Sequence, residues 1–439
     1  MIRRLCAKFR RGSATLVVLL AVSMAALILV GLQGASLSQA AAGREAVARL
    51  RASWAARAGL EATIARFERN IQSRDPFNVF TEPLDLQDVA SGTLDAATWS
   101  IGHSTPTQDV TGPEDAHAKV NIARMSFDAL MTLPNMTEDQ AASIIDWIDT
   151  DDAVSELGAE ESYYLGLPAP YRPRNGPMKS LAELDLVAGV DPREVRGEDW
   201  NLNGLLDASE RDGVESWPDD NADSVLDAGW SRVITAASVD EGLAASGQAR
   251  LDLRAASAEQ LAARVTGLDP AQTKAILDYA FRPDAKMQDF IGRSLRTLAG
   301  GGQAAAGLNN IDSEQIKQLL DECTLYDPTA GPQPGRLNIN TCSREALDSV
   351  PEITPALADT LVFERNRRAT GFAHIMELVT EMGLSPRTVA QLAEVIDVRS
   401  NAYVVNARGR DTNTGIEVEL QAVVTRTALP APLTEVLSR

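Results

Sequence analysis

The sequence predicts an α+β protein in which a long N-terminal helix and a large helical region accompany a small antiparallel sheet. Three observations predict this class. Helix-forming residues run from Ser13 to Arg69 without a proline or a pair of adjacent glycines. A helix–turn–helix pattern recurs between residues 119 and 398, and an apolar–polar alternation near the C-terminus predicts a β-hairpin. Helices and strands that are segregated along a chain are typical of this fold class.

The composition limits the possible functions. The 439 residues carry a formal net charge of -20, with 44% hydrophobic and 23% charged residues. At roughly 100–200 residues per domain, this length predicts two to four compact units. The low average hydrophobicity excludes a protein with many membrane spans. The acid excess argues against general nucleic-acid binding, which needs a basic face. With three His and three Cys scattered along the chain, no metalloenzyme, disulfide scaffold or other enzyme is predicted.

A basic leader precedes an uncharged apolar run. Five Lys or Arg residues give residues 1–12 a charge of +5, and no ionisable residue follows Arg11 before Arg44. Residues 13–33 are long and apolar enough to cross a bilayer as a helix. Because the basic residues lie before this span, the N-terminus is predicted to be cytoplasmic.

The residues leave three interpretations of this segment open. A secretory signal peptide would be cleaved after the small residues at Ala35 or Ala40–Ala42. A plain signal anchor would stay uncleaved. A prepilin-type leader would be cut before the apolar run, between Gly12 and Ser13, and its short basic sequence ending in Arg-Arg-Gly resembles that type most closely.

The helix signal continues beyond the apolar run. Residues 37–69 are rich in Ala, Arg and Glu, which are good helix formers. The whole helix is predicted to have about 55–60 residues, roughly 80–90 Å at 1.5 Å per residue, and to end before Pro76. Apolar residues at three- and four-residue steps predict one amphipathic face. This face comprises Val47, Leu50, Trp54, Ala58, Leu60, Ile64 and Phe67.

A twelve-residue pattern occurs three times, beginning at Lys119, Arg250 and Arg336. In each copy a Ser is predicted to cap a first helix, and a turn and a second helix follow. The first and last copies also share a second half, at residues 181–192 and 375–386. These units are interpreted as helix-hairpin-helix or SAM-like units. The predicted caps are Ser126, Ser257 and Ser343.

Helical hairpins of this kind raise DNA binding as the alternative function. Glycine-rich turns can bring backbone N–H groups against phosphate, and a membrane-anchored DNA-binding or DNA-uptake protein would use them so. Two of the three turns carry Asn135 and Glu352 in place of glycine, and a carboxylate would repel phosphate. We therefore predict a structural role without a nucleic-acid partner.

Residues 199–210 match a complete calcium-loop pattern. Side-chain oxygens occupy positions 1, 3, 5, 9 and 12, a glycine occupies position 6, and position 7 offers its carbonyl. A solvated turn is the alternative. The predicted ligands are Asp199, Asn201, Asn203, Leu205, Asp207 and Glu210.

The same spacing returns twenty residues later in a less complete form. Ser224 replaces the glycine and Trp230 replaces the closing Glu, for which Glu215 is a possible substitute. The loop therefore lacks an obvious bidentate ligand, and calcium binding and a solvated turn are equally plausible interpretations. The predicted ligands are Asp219, Asn221, Asp223 and Asp227.

Two segments near the C-terminus predict the sheet. Ala402–Arg408 and Ile416–Thr425 alternate apolar and polar residues around a turn at residues 411–415. Leu420 and Ala422 are expected on one face and Glu419 on the other. Trp99–Ile101 is expected to add a strand before the helical region.

Taken together, these motifs resemble the K class of minor pseudopilins of bacterial type II secretion systems (GspK-like proteins). The leader and long helix resemble type IV pilin-like subunits. Most such subunits have Glu at the fifth mature residue, whereas this sequence has Val17, and lack of this Glu resembles the tip subunit. Residues 146–184 follow the family's central region closely, and Leu337–Thr341 with the C-terminal hairpin extends the resemblance over most of the chain.

The resemblance implies a pilin-like fold, in which the long helix packs on the sheet and the helical domain is inserted between strands. It implies a single-pass protein of the bacterial inner membrane with its bulk in the periplasm. The expected partners are the I- and J-class minor pseudopilins, the pseudopilus, and a prepilin peptidase that cuts at Gly12–Ser13 and methylates the new amine. The expected role is to start pseudopilus assembly at the tip.

Two further expectations depend on the resemblance. K-class helical domains are associated with calcium, which makes the acidic cluster from Asp149 to Glu161 a third candidate site. Loss of the leader would leave Cys323 and Cys342, and in an oxidising periplasm a disulfide between them is plausible, with two buried free thiols as the alternative.

These observations divide the chain into seven parts. The predicted parts are a leader (1–12), a membrane helix (13–33), a periplasmic helix with the first strands (34–118), a first SAM-like unit (119–190), an enlarged insert with the calcium loops and a further hairpin (191–306), a second SAM-like unit (307–398) and the C-terminal hairpin (399–439).

Overall fold

The structure is a computed structural model that describes residues 10–72, 82–105, 108–215, 217–240, 243–301, 307–326, 333–425, 431 and 433–438. The leader before Arg10 and the predicted helix end at Pro76 lie outside these residues. The helices are α1 (Arg10–Gln72), α2 (Glu82–Gln87), α3 (Phe127–Leu130), α4 (Glu138–Ile148), α5 (Glu161–Leu165), α6 (Pro192–Arg196), α7 (Ala258–Arg264), α8 (Pro270–Ala280), α9 (Asp289–Gly292), α10 (Leu295–Leu298), α11 (Ser313–Glu322), α12 (Arg344–Asp348), α13 (Pro355–Arg367), α14 (Glu377–Thr380) and α15 (Pro386–Leu392).

Most strands of the described residues are short. They are β1 (Ser91–Leu94), β2 (Ala97–Ser104), β3 (Asp109–Thr111), β4 (Glu114–Asp115), β5 (Val120–Asn121), β6 (Ile234–Thr235), β7 (Val239–Asp240), β8 (Leu251–Asp252), β9 (Cys323–Thr324), β10 (Gln333–Pro334), β11 (Leu337–Asn338), β12 (Ile396–Asp397), β13 (Ala402–Asp411), β14 (Glu417–Thr425) and β15 (Leu433–Ser438).

The predicted N-terminal helix is confirmed as a single element. Helix α1 has 63 residues, roughly 95 Å at 1.5 Å per residue. Its residues 14–47 are exposed. Within the described residues, Ala14–Arg69 is the helix long and apolar enough to cross a membrane.

The face that α1 buries differs from the prediction. Leu60 and Phe67 are buried as expected, but Val47, Leu50 and Trp54 are 48%, 57% and 61% exposed. The sheet is instead contacted by small residues, because the two backbones approach closely. A Cβ added at Gly409 of β13 would lie 1.8 Å from the Ala52 carbonyl oxygen. The buried small residues are Ala48, Ala52, Ala55, Ala56 and Gly59.

An antiparallel sheet packs on the second half of α1. Its order is β1-β2-β13-β14-β15, with β3 paired to β2 and β4 paired to β13. The predicted hairpin is confirmed, because β13 and β14 pair from Ala402–Thr425 to Arg410–Glu417. Leu420 and Ala422 face the helix core as expected. The helical region is inserted between β4 and β13, so the predicted pilin-like α+β fold is confirmed.

The helical region consists of three modules, each closed by a two-residue parallel ladder between its first and last residues. The first module (120–235) is closed by β5 and β6, the second (251–324) by β8 and β9, and the third (337–397) by β11 and β12. The predicted caps are confirmed, because each Ser hydroxyl accepts a backbone N–H three residues on. The first and third modules share one hydrophobic core, to which Ile291 of the second module also contributes, and the second module has a further core of its own.

This organisation differs from two predicted boundaries, because the first module continues past residue 190 to Thr235 and the second past residue 306 to Thr324. The further hairpin was assigned to residues 191–306, but its module continues through α11 to Thr324. Helix α11 packs its Leu319 into the core of the second module. In the sequence only the first and last copies share a second half, so the end of this module was not evident.

Candidate functional site

The first predicted calcium loop has the backbone that its pattern requires. It follows α6, and its fourth and sixth residues, Leu202 and Gly204, have φ of 55° and 65°. Glycine adopts this left-handed conformation without the steric cost that a Cβ brings. The Asp199 carboxylate accepts hydrogen bonds from the N–H groups of Asn203, at 2.9 Å, and Gly204, at 3.0 Å. The carboxylate at the first ligand position therefore stabilises the turn.

The remaining predicted ligands of this loop lie together. The amides of Asn201 and Asn203 donate to Asp207 Oδ2 at 2.9 and 3.1 Å. Glu210 Oε2 accepts the N–H of Asp207 at 3.0 Å. Leu205 donates its N–H to Asn203 Oδ1 at 2.8 Å. All six predicted residues thus belong to one hydrogen-bonded loop. Many of the oxygen atoms that would bind calcium already accept hydrogen bonds from N–H groups of the protein.

Burial makes two carboxylates of this loop unusually weak acids. Asp199 and Glu210 are both buried. Burial, which disfavours the charged form, raises the pKa of Asp199 to about 6 and that of Glu210 to about 7. A bound cation would stabilise the charged forms.

The loop also joins the helical domain to the sheet, a contact that the sequence pattern does not reveal. Arg408 of β13 pairs with Asp207 and, at 3.1 Å, with Glu419. Asn203 Nδ2 donates to Glu419 Oε1 at 2.9 Å, and Asn406 donates to the Asn203 carbonyl at 2.6 Å. Asp207 is therefore already neutralised by an arginine.

The second predicted loop repeats the same backbone. Its fourth and sixth residues, Ala222 and Ser224, have φ of 58° and 64°. Asn221 accepts the N–H of Asp223 at 2.9 Å, and Asp223 accepts that of Val225 at 2.8 Å. The predicted ligands Asp219, Asn221, Asp223 and Asp227 are all exposed.

Sequence reasoning missed the buried acid of this second loop. Glu198, rather than the exposed Glu215, faces it. Its two oxygens accept the N–H groups of Asn221, at 3.0 Å, and Asp227, at 3.2 Å. The available indication in the sequence was that Glu198 directly precedes Asp199, the first residue of the first loop.

The third acidic cluster brings carboxylates together most tightly. Oxygens of Asp146, Asp149 and Glu160 all lie within 4.8 Å of one another. Asp146 is fully buried and Glu160 is 3% exposed. Neither oxygen of Glu160 has a hydrogen-bond partner. Asp146 of α4 lay outside the predicted range, although it precedes Asp149, the residue that follows the end of α4, by only three positions.

Repulsion and burial act together on this cluster. Burial, followed by the charges of Asp146 and Asp149, raises the pKa of Glu160 to about 7, and burial also raises the pKa of Asp149. Gly158 is required nearby, because a Cβ there would lie 2.1 Å from Asp146 Oδ2. Three converging carboxylates, one without any donor, fit an oxygen-liganded cation such as calcium.

The predicted disulfide is not formed in the structure, which has the alternative of two buried free thiols. Cys323 lies in the core of the second module and Cys342 in that of the first and third modules. Because separate cores enclose them, the sulfur atoms do not pair. Burial raises the pKa of each thiol to about 12.

The predicted cleavage residues, Gly12 and Ser13, lie in the first turn of α1. The apolar helix predicted to follow the cut begins there. Peptidase cleavage itself stays a prediction.

The helical hairpins carry acids where a phosphate-binding turn would offer N–H groups. In the second module, Asp269 and Asp312 cap α8 and α11, each accepting an N–H of its own helix. The turns also bind each other, because Gln272 donates to the Asn310 carbonyl and Gln315 to that of Gly267.

These features define the class of protein: a pilin-like subunit with one apolar N-terminal helix and a helical domain inserted into its sheet. Residues 105–197 match the family model of type II secretion system (T2SS) protein K, and residues 334–397 match that of the helix-hairpin-helix motif. The region from residue 105 to 197 is therefore similar to the protein K family, and the predicted resemblance to GspK-like minor pseudopilins is confirmed.

The chain also has similarity to one curated protein and to one solved structure. The chain is 37% identical to type II secretion system protein K of Pectobacterium carotovorum subsp. carotovorum over 70 residues, which are 16% of this chain. The match spans about a fifth (21%) of that relative's length. A chain in the GspK-GspI-GspJ complex from the enterotoxigenic Escherichia coli type 2 secretion system matches 90% of this chain and 99% of its own, with 13% identity and a TM-score of 0.44.

Proposed function

We propose that this protein is a minor pseudopilin at the tip of a type II secretion pseudopilus, where it starts assembly. One observation carries the proposal: α1 is continuous from an exposed apolar half to a half that packs on a sheet, and three helical modules are inserted into that sheet. The protein K match over residues 105–197 supports the same role. No catalytic role is proposed.

Two features favour the tip over the body of the fibre. The helical domain adds three modules to the sheet and makes the head too broad to stack between identical subunits. Val17 also lacks the carboxylate that would neutralise a neighbour's N-terminal amine inside an apolar fibre core.

We propose that residues 1–12 stay in the cytoplasm, that the apolar half of α1 spans the inner membrane, and that a prepilin peptidase cuts between Gly12 and Ser13. Mass spectrometry of the mature N-terminus tests this. Gly12→Val should leave the leader attached. Gly34→Val, at a site of the same helix with open space around the added side chain, should be processed normally. An intact Met1 in the wild type, or a cut near Ala42, would contradict the pseudopilin role.

We propose that the exposed face of α1 formed by Val47, Leu50 and Trp54 contacts the helices of the I- and J-class minor pseudopilins. Apolar residues at this spacing on a helix that is already packed on its other face fit a second helix. Leu50→Ser with Trp54→Ser should weaken co-purification with these partners at least tenfold. Phe363→Ser, an equally exposed change on α13, is the control. Equal retention in both variants would exclude this face.

We propose that the protein binds calcium, with Asp146, Asp149 and Glu160 as one site and the two predicted loops as weaker ones. The unpartnered buried carboxylate of Glu160 supports the first site. An ion there would supply positive charge that the surrounding protein lacks. In calorimetry, Glu160→Gln should remove the tightest binding step, and Asp199→Ala a weaker one. Unchanged isotherms would remove these residues from the ligand set.

A DNA-binding role is the other candidate, because residues 334–397 match a helix-hairpin-helix motif. The acidic caps Asp269 and Asp312 and the acidic turn residue Glu352 argue against it. A DNA mobility shift at low salt would favour that role, whereas no shift would agree with the pseudopilin proposal.

A further inference from the structure

An exposed surface of acidic and apolar side chains lies next to the third acidic cluster. Every residue from 151 to 157 is exposed. Val154 and Leu157 in this segment are 62% and 59% exposed, and Tyr163 and Leu165 on the following helix α5 are also exposed. Single exposed apolar side chains are common on protein surfaces, but four of them within twelve residues are unusual.

The segment is fastened to the acidic cluster below it. The N–H of Ser155 donates to both oxygens of Asp146, at 3.3 and 3.1 Å. The N–H of Gly158 donates to the Ser155 carbonyl at 3.0 Å, which closes a turn around Leu157. The carboxylate that would hold a cation therefore also holds the turn that carries the apolar side chains.

Leu157 occupies a backbone conformation that a branched residue rarely adopts. Its φ is 70°, in the left-handed region. Glycine or Asn would be the usual residue there, yet the position carries a large and exposed apolar side chain. The turn thus projects Leu157 outwards at a conformational cost instead of burying it.

The charge around this surface indicates its partner. Residues 146–165 contain seven acidic and no basic residues. A divalent ion would neutralise two of these charges and leave five. Arg172, at 3.1 Å from Glu161, balances one more. A surface that stays negative around apolar side chains complements a basic protein surface and repels anionic lipid headgroups.

We propose that Val154, Leu157, Tyr163 and Leu165 form a docking surface for a partner protein that presents apolar residues among Lys and Arg, and that a divalent cation at Asp146, Asp149 and Glu160 keeps this surface in its binding shape. The inference rests on the proposed calcium site. The surface lies on the first module and not on α1, so its partner need not be another pseudopilin helix.

The test uses the full chain in phosphatidylcholine nanodiscs, which leave the surface free of detergent. The probes are two 18-residue helical peptides, one of Leu and Lys and one of Leu and Glu, with binding followed by fluorescence anisotropy. The Leu/Lys peptide should bind at least tenfold more tightly in calcium than in chelator, and the Leu/Glu peptide should not bind. Equal binding of both peptides, or binding independent of calcium, would overturn the proposal.

Variants separate the surface from the cation site. Val154→Thr with Leu157→Asn keeps side-chain volume and tolerance of the left-handed turn, so calcium affinity should be unchanged while peptide affinity falls at least tenfold. Phe281→Ser, an exposed apolar residue of the second module, should change neither. If calcium binds but the double variant still holds the peptide, the surface is wrong. If calcium does not bind wild type, the proposed site fails and the cation dependence fails with it. Binding to phosphatidylglycerol vesicles in place of the peptide would overturn the proposal in favour of a membrane.

Discussion

The first calcium loop and the third acidic cluster lie in the same module but satisfy their carboxylates in different ways. In the loop, Asp199 accepts two backbone N–H groups and Asp207 is held by Arg408 and two amides. In the cluster, Glu160 accepts none, although it is equally buried. Like charges without donors in a buried site are costly.

The comparison teaches that the number of acids does not by itself indicate where a cation matters most. The loop has more of the expected ligand pattern, yet its own donors can hold its shape without an ion. The cluster has three carboxylates and few donors, so its structure depends more strongly on an ion. Cation removal should therefore loosen the cluster first.

The sharpest way to break this comparison is Glu160→Gln. In chelator, the variant should be more stable than wild type by about 1–3 kcal/mol, because a neutral amide replaces a buried charge without partners. In calcium at a thousand times Kd, wild type should gain about 4.1 kcal/mol that the variant lacks. Chemical unfolding followed by tryptophan fluorescence would show the order of stabilities reverse.

Glu156→Gln is the control for this reversal. Glu156 lies in the same segment but is exposed, so its change should stay within about 0.5 kcal/mol under both conditions. If Glu160→Gln lowers the stability in chelator as it does in calcium, Glu160 is not an unpaired charge.

The pH dependence should follow the raised pKa of Glu160. The folded protein holds this proton up to about pH 7, whereas the unfolded chain releases it near the ordinary 4.5. The folded state therefore binds more protons in this window, and Glu160 alone should lower the stability without cation by at most about 3 kcal/mol as pH rises from about 4.5 to 7.

Calcium should flatten this slope, because the bound ion favours the charged form. Asp199 and Glu210 contribute in the same direction, so Glu160→Gln should remove only part of it. Unfolding midpoints measured at several pH values, with and without chelator, would check both statements. A stability that rises with pH over this window in chelator would contradict them.

Arg408→Gln tests the loop side of the comparison. Removing the guanidinium leaves Asp207 and Glu419 facing each other, which should cost about 2 kcal/mol in chelator. Calcium should restore part of this loss, because Asp207 becomes free to bind it. The matched control is Arg410→Gln, whose pair with Glu417 at 3.6 Å is exposed and should contribute under about 0.5 kcal/mol. Equal losses in the two variants would show that Arg408 does not stabilise the loop.

The smallest expected effect concerns the second loop. Ser224 has φ of 64° at the position where the first loop has glycine. Ser224→Gly should relieve this strain, although glycine also increases the entropy of the unfolded chain. The net effect should be a stabilisation of about 0.5 kcal/mol. Ser209→Gly, at a residue outside the left-handed region, should instead destabilise by about 0.5–1 kcal/mol. Differential scanning calorimetry would resolve the two signs.

Local patterns predicted most of the fold, and contacts between distant residues account for what they missed. The long helix, the capped hairpins and the β13–β14 pair each lie within one stretch of sequence. The buried face of α1 was partly wrong because hydrophobicity favours Leu50 and Trp54, whereas close approach to Gly409 requires Ala and Gly. Sequence separation hides that requirement, since β13 follows more than 300 residues later.

The candidate sites show the same difference between local patterns and contacts of distant residues. The twelve-residue loop was visible as a pattern because its ligands are neighbours in sequence. Its contact with Arg408 joins residues 201 positions apart. Asp146 and Glu160 meet only because the chain after α4 folds back, and Glu198 acts on a loop that begins twenty-one residues later.

The parallel ladders have a consequence for how this head can vary. Leu251 and Cys323 are paired residues, so the polypeptide leaves the second module about one strand spacing, roughly 4.8 Å, from the point where it came in. A module with its own core and adjacent ends can be gained or lost as one genetic unit, with a short peptide across the gap. The size of the head could thus be adjusted between secretion systems while the helix and sheet beneath it stay the same.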